Sequence, residues 1–299
     1  MKKLMLLSAA LFLIPSGAQA AINVFACEPE WGALAKELGG EQVAVTSATS
    51  GTEDPHHVRA KPSLLAAMRK ADLVVCTGAG LEAGWLPVLM QQAAGTGVQP
   101  GAPGYVMASS AVRLTGAPAK VDRAMGDVHP EGNPHIQTDP RNIIAVAKPL
   151  AERLSEVDQG NAATYQKNLE GFSQKWSAQI QGWASAAQSL RGMPVIVYHD
   201  EWAYLNQWLG LKEIATLEPK PGVPPTPAHL QQVLAAAQAA QVKVILLAPF
   251  DNDDAAEWLS EKTGAKLVRL PFTVGGSDDS DSLEKVFQKT VDLLKASAS

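Results

Sequence analysis

Residues 22–47 read INVFACEPEWGALAKELGGEQVAVTS, and their pattern decides the architecture. An apolar run, Ile22 to Ala26, is followed by apolar residues at helical spacing from Trp31 to Leu38. The helix closes on Gly39-Gly40, and a second β-branched run covers Gln42 to Thr46. Strand, helix and strand at this spacing form the unit of a parallel sheet, whose strands are buried on both faces and therefore read as continuous apolar runs. Outward from this unit the alternation continues with a helix over Pro62 to Lys70, a strand over Asp72 to Cys76 and a helix from Glu82 to about Ala94. It returns beyond residue 190, where strands over Val195 to Tyr198, Glu213 to Leu217 and Val242 to Ala248 alternate with helices. Those helices start at Trp202, cover Thr226 to Ala240 and Asp254 to Thr263, and close the chain from Asp281, the expected N-cap.

Between the two alternating regions, Arg141 to Leu190 contains no strand-like run and places Tyr165, Leu169, Phe172 and Trp176 at helical spacing. Pro149 and Gly160 are expected to break this connector into a shorter first helix and a long second one, an interior proline costing about 3 kcal/mol. The fold class expected is α/β, with two lobes, each a central parallel sheet flanked by helices, joined by a long rigid connecting helix. The boundaries drawn are an N-terminal lobe over residues 21–157, a connector over 158–190 and a C-terminal lobe over 191–299.

The first twenty residues carry Lys2 and Lys3, an apolar run from Leu4 to Pro15, and small residues at Ala18 and Ala20. This is the composition of a cleavable secretory signal over residues 1–20, too short for a comfortable bilayer span of about 20 apolar residues. No cysteine stands at the cut after Ala20, so the mature chain is expected to be free of a lipid anchor, monomeric and periplasmic. Loss of the two lysines takes the formal charge from −5 to −7, an acidic balance that argues against nucleic acid as a partner. The remaining length of about 280 residues exceeds one ordinary core and favours two lobes. Cys27 and Cys76 are the only cysteines. Each ends a predicted strand, and both a disulfide and two buried thiols stay open.

The chain has six histidines, four of them in two proline-flanked loops: Asp54-Pro55-His56-His57 and His129-Pro130-Glu131-Gly132-Asn133-Pro134-His135. Proline fixes φ, so a neighbouring imidazole is aimed from a stiffened backbone. His199 follows the strand Pro194 to Tyr198, at the carboxyl edge where open α/β sheets bind ligands. His56 follows the second predicted strand, and His135 opens the connector. Three imidazoles can therefore meet in the cleft between lobes.

Three motifs sharpen this reading. The runs Asp54-Pro55-His56-His57-Val58 with Pro62-Ser63, Gly132-Asn133-Pro134-His135-Ile136-Gln137-Thr138-Asp139-Pro140, and Tyr198-His199-Asp200-Glu201-Trp202 together resemble the signatures of the cluster A-I solute-binding proteins, the zinc and manganese receptors of bacterial ABC transporters. The resemblance runs over the whole mature chain. It implies metal held between two α/β lobes, capture for an ABC transporter membrane permease, and His56, His135 and His199 as ligands, with His57 a neighbour. Val58 and Gln137-Thr138 depart from the family pattern in packing positions. A further departure concerns coordination. Many members place an acidic fourth ligand before a late glycine pair, where this chain has Phe272-Thr273-Val274-Gly275-Gly276. The fourth position then falls to water or to Asp278, Asp279 or Asp281.

Three neutral imidazoles suit Zn²⁺, whereas Mn²⁺ favours oxygen-richer shells. Asp200, Glu201 and Asp139 are the expected acceptors for the free imidazole N–H groups. Gly78-Ala79-Gly80 reads as a turn, His229 as a solvent-facing helix residue, and His129 as a loop residue or a transient metal shuttle. The chain is read as a binding protein and not an enzyme. The rival is a zinc hydrolase with Glu201 as general base, against which stands the absence of a His-Glu-x-x-His run. A metal-storing adhesin or a zinc chaperone is a third reading.

Overall fold

The computed structural model describes residues 21–120, 126 and 128–298, so the expected leader over 1–20 lies outside the described residues. In the first lobe β1 (Ile22–Ala26), α1 (Pro29–Gly39), β2 (Val43–Ser47), α2 (Pro62–Lys70), β3 (Leu73–Cys76), α3 (Leu86–Ala93) and β4 (Tyr105–Met107) build a parallel sheet of order β2-β1-β3-β4. Two connecting helices follow, α4 (Pro140–Val157) and α5 (Ala162–Ala186). The second lobe repeats the plan. Its elements are β5 (Pro194–Val197), α6 (Ala203–Leu209), β6 (Lys212–Thr216), α7 (Pro227–Ala239), β7 (Val244–Leu247), α8 (Asp254–Thr263) and β8 (Lys266–Arg269), with sheet order β6-β5-β7-β8, before α9 (Leu283–Ala298) closes the chain.

The expected α/β architecture is what the chain adopts. Sequence chemistry explains the elements: α1, α2, α4 and α7 carry proline at the first helical position, where a missing N–H costs nothing. Leu73, Val74, Val75 and Cys76 are all buried, as a strand covered on both faces requires. The register sets Val24 beside Val45 and Leu73, and Val195 beside Val244. In each sheet the chain leaves the first strand in one direction and returns on its other side, so β1/β3 and β5/β7 are switch points whose carboxyl ends face the cleft.

Several expectations are corrected. The edge strands β4 and β8 were not anticipated: Tyr105–Met107 is only three residues long, and Lys266–Arg269 has charged ends. Pro149 does not break the connector, because α4 runs through it for 18 residues. The helix buries Ile143, Val146, Ala147, Leu150, Ala151 and Leu154 on one face. At roughly 1.5–3 kcal/mol for each large side chain, that face outweighs the proline penalty. The carbonyl that Pro149 leaves unpaired, at Ala145, lies on an exposed residue. A short 3-10 turn at Gln159–Asn161 separates α4 from the 25-residue α5, as Gly160 suggested. At the start of α9 it is Ser282 whose hydroxyl accepts the Lys285 N–H (3.3 Å), while Asp281 pairs with the Lys285 ammonium.

Cys27 and Cys76 form a disulfide, with a Cα separation of 4.7 Å. The parallel pairing of β1 with β3 brings their ends together. One apolar core runs through both lobes, from Val24, Trp31 and Ile143 across Trp176 and Trp183 to Val195, Leu246 and Phe287. The indole of Trp176 donates to the Pro140 carbonyl (2.8 Å) and its ring lies 5.7 Å from Phe287, so α5 is fixed to α4 on one side and α9 on the other. The lobes also touch at Gly51, where a β-carbon would collide with the Gly275-Gly276 backbone, and at Glu30, which accepts from the Thr273 hydroxyl.

Candidate metal centre

Three loops aim three imidazoles into the cleft, and each ring is held by an oxygen on its Nδ1. After β2, Asp54 Oδ1 accepts the His56 backbone N–H (2.9 Å) and pairs with His56 Nδ1 (2.7 Å), a local turn typical of Asp before proline. The Trp85 indole donates to the Pro55 carbonyl (3.0 Å) and anchors that turn on the lobe. Ahead of α4, Asn133 Oδ1 accepts both the His135 backbone N–H and its Nδ1, each at 2.9 Å. Asn133 in turn donates to the Asp200 carbonyl (2.5 Å) and accepts from the Tyr204 hydroxyl on its own carbonyl (2.7 Å), tying this loop to the second lobe. Beyond β5, His199 Nδ1 meets Glu218 Oε2 at 2.8 Å. Glu218 lies just past β6, the neighbouring strand.

An oxygen acceptor at Nδ1 selects the Nδ1–H tautomer and leaves the Nε2 lone pair free for a cation. The rings gather: centroids of His56 and His135 are 5.2 Å apart, His56 and His199 5.7 Å, His135 and His199 5.3 Å. His135 is 1% exposed, and its Nε2 is buried without a hydrogen-bond partner among the described residues. Such an atom forfeits hydration unless something else binds it.

His129, read from sequence as a loop residue or a transient metal shuttle, stands in the same cluster. Its ring lies 5.4 Å from that of His56 and 6.0 Å from that of His135, and its Nε2 is 3.3 Å from His56 Nε2. The signal was present in the sequence, since His129 opens the proline-flanked loop that ends on His135. His57 is exposed on the outer side of Asp54, its Nε2 3.9 Å from the carboxylate.

Other anticipated partners lie elsewhere. Asp139 caps α4 and holds the Arg141 guanidinium (2.6 Å). Glu201 is 1% exposed, and the Asp200 carboxylate meets Asn133 (3.1 Å), not a histidine ring. The acceptors sit one strand or two residues away in the loops, on Glu218, Asp54 and Asn133, and strand adjacency is not visible in sequence order. Asp278, Asp279 and Asp281 are exposed, and the last two pair with Lys289 and Lys285 of α9. Phe272 packs its ring 5.8 Å from His135. His229 is not turned to solvent but joins the Thr216 carbonyl (2.9 Å). A second grouping, Cys27, Cys76 and Glu82, offers no thiolate because the two sulfurs are bonded to each other.

Burial and three like rings hold His135 well below the ordinary histidine range. For His199 burial acts the same way, but the hydrogen bond and charge of Glu218, with Asp200 and Asp251 behind it, outweigh it and raise the pKa. Burial pushes Asp251 up to about 7. Asp54 and Glu218 line one cavity beside His56 and His199, with Asp251 next to them, and their negative charge draws cations inward. Glu218→Gln is expected to weaken metal binding by about 10–100-fold, the usual effect of losing an imidazole's outer partner; direct titration of the variant checks it.

Two parallel sheets bridged by long helices, with imidazoles gathered between their carboxyl edges, define the class of two-lobed solute-binding proteins. Residues 24–297 match the family model for zinc-uptake complex component A, periplasmic, and the chain belongs to that family. The high-affinity zinc uptake system protein ZnuA of Brucella abortus is 30% identical over 99 residues, 33% of this chain and 30% of that protein. The manganese ABC transporter substrate-binding lipoprotein scaA of Streptococcus gordonii is 28% identical over 160 residues, 52% of this chain and 48% of that one. These alignments thus span less than half the length of the curated relatives. A crystal structure of ZnuA superposes with a TM-score of 0.73 at 25% identity, covering 91% of this chain and 98% of that one. The laminin-binding adhesin Lmb of Streptococcus agalactiae shares the fold at a TM-score of 0.76 and 21% identity, over 93% of this chain and all (100%) of that one.

Proposed function

We propose that the chain captures Zn²⁺ in the periplasm through Nε2 of His56, His135 and His199 and delivers it, as a monomer, to the membrane permease of an ABC transporter. The observation that carries this reading is the Nε2 of His135, buried without a hydrogen-bond partner among the described residues, in a cluster where the Nδ1 atoms of His56, His135 and His199 each meet an oxygen. In this reading residues 21–157 and 191–299 are the two lobes, 158–190 the rigid connector, and 1–20 the export leader. Nitrogen donors favour Zn²⁺ over Mn²⁺, while Cu²⁺ and Ni²⁺ bind such rings too, so cellular selectivity rests partly on metal availability. Titration of metal-free mature chain with Zn²⁺, Mn²⁺ and Cu²⁺ tests the proposal: one tight Zn²⁺ equivalent is expected, and weak or absent Zn²⁺ binding would sink it. Hydrolysis is not favoured, because the base it would use, Glu201, is buried away from any substrate.

Proton competition has a defined sign. A proton on His199 occupies Nε2, the atom offered to metal, and its pKa is raised in the metal-free chain. Zn²⁺ affinity is therefore expected to be full at alkaline pH and to start falling above the ordinary histidine value of about 6.5 as pH drops. Each proton displaced corresponds to about tenfold per pH unit. His135, whose pKa is held low, adds no competition in that window. Affinity measured from pH 8.5 to 5.5 checks this, and a profile flat to pH 6 would contradict it.

A further inference from the structure

The geometry points to His129 as a fourth ligand, closing an all-imidazole shell around the cation; we infer that this residue sets the site's preference for nitrogen-seeking metals. The inference rests on the reading of the cluster as a metal site. It starts from the separation of His129 Nε2 and His56 Nε2, 3.3 Å. Two nitrogens bound to one tetrahedral Zn²⁺ at about 2.0–2.1 Å lie about 3.3–3.4 Å apart. The two atoms thus already stand at the edge length of a tetrahedral shell. One ring nitrogen each from His56, His129 and His135 falls within 4.8 Å of the other two. His199 approaches the same centre from the second lobe, its ring 5.3 Å from that of His135.

The placement of His129 is built into the lobe. Gly78, Ala79 and Gly80 form a turn with φ of 78°, 52° and 85°, a left-handed run that only glycine adopts freely and that costs Ala79 strain. The turn is pinned by the buried Glu82 carboxylate, which accepts the N–H groups of Thr77 (2.7 Å) and Gly78 (3.1 Å). Gly80 backs onto His129, for a β-carbon there would come 3.4 Å from its Nδ1. Five residues on, Trp85 anchors the carbonyl of Pro55, next to His56. One short segment therefore seats both rings. The acidic candidates at 278, 279 and 281 are exposed, and Phe272 brings no donor atom. A fourth protein ligand completes the closed coordination of a binding site and leaves no open position for reaction.

The test uses the full mature chain as wild type, His129→Ala, His129→Gln and His135→Ala. Each is loaded with Zn²⁺ for X-ray absorption and with Co²⁺ for visible spectra, and Zn²⁺ and Mn²⁺ affinities are taken by competition. Wild type is expected to show four imidazoles and both His129 variants three, with altered Co²⁺ bands, Zn²⁺ affinity at least tenfold lower and a smaller Zn²⁺-to-Mn²⁺ ratio. If the His129 variants keep the wild-type spectra and affinity while His135→Ala loses metal, His129 is only a hydrogen-bonding neighbour and this inference is overturned. If His135→Ala also binds normally, the metal-site reading falls with it.

Discussion

Metal-free chain carrying His135→Ala is expected to bind Zn²⁺ on the order of a hundredfold to a thousandfold more weakly than the parent. A four-ligand zinc shell is worth about 10–16 kcal/mol, so one ligand carries roughly 3 kcal/mol, and each 1.4 kcal/mol is tenfold. His135 should stand at the upper end of that range among the rings. It is 1% exposed, it is held neutral, and its Nδ1 is fixed by an asparagine that also clasps the opposite lobe. Nothing is spent on desolvating or reorienting it when the cation arrives. Alanine removes the donor from a buried spot that solvent reaches poorly, so water replaces it badly. Calorimetry or competition with a chromophoric chelator gives the number. His57→Ala is the matched control, since that ring faces outward, and equal losses in the two variants would mean the cluster has been misread.

The second large effect concerns stability. Replacing Cys27 and Cys76 together by alanine is expected to destabilise the oxidised chain by about 4 kcal/mol, the chain-entropy value for cross-linking a loop of this size. The two cysteines are 49 residues apart. For a domain of this size that corresponds to roughly 10 °C in Tm. Both sulfurs are fully buried between β1 and β3, and alanine avoids placing new hydroxyls there. Denaturant unfolding of the variant, beside wild type with and without reductant, measures the difference. A loss below 1 kcal/mol would show that sheet packing alone holds the strand ends together.

The fold was legible because its central strands are largely apolar runs and its connector keeps helical spacing over some fifty residues. What sequence hid was short or crossed by a competing rule. Tyr105–Met107 gains its strand character only from pairing with β3, and Pro149 is overridden by a buried helix face. At the site, His56, His135 and His199 were visible from loop chemistry and family motifs, and their rings do come together. Of their oxygen partners, Asp54 and Asn133 stand two residues before their histidines in those motifs and were passed over, while Glu218 becomes a neighbour of His199 only when β6 lies against β5. The role of the segment Gly78 to Trp85 was equally invisible: the Gly78-Ala79-Gly80 turn was read correctly, but the helix expected from Glu82 starts only at Leu86, and the segment's position beneath two imidazoles was not read.

The shared apolar core bears on the lifetime of the metal-free chain. Because Trp176, Trp183 and Phe287 knit residues of both halves into one hydrophobic cluster, complete unfolding of one half strips packing from the other. An opening that reaches this cluster must then disturb both halves, and under the proposed function a cation bound at the seam would make such openings rarer. Loaded and unloaded copies would differ in survival as well as in content.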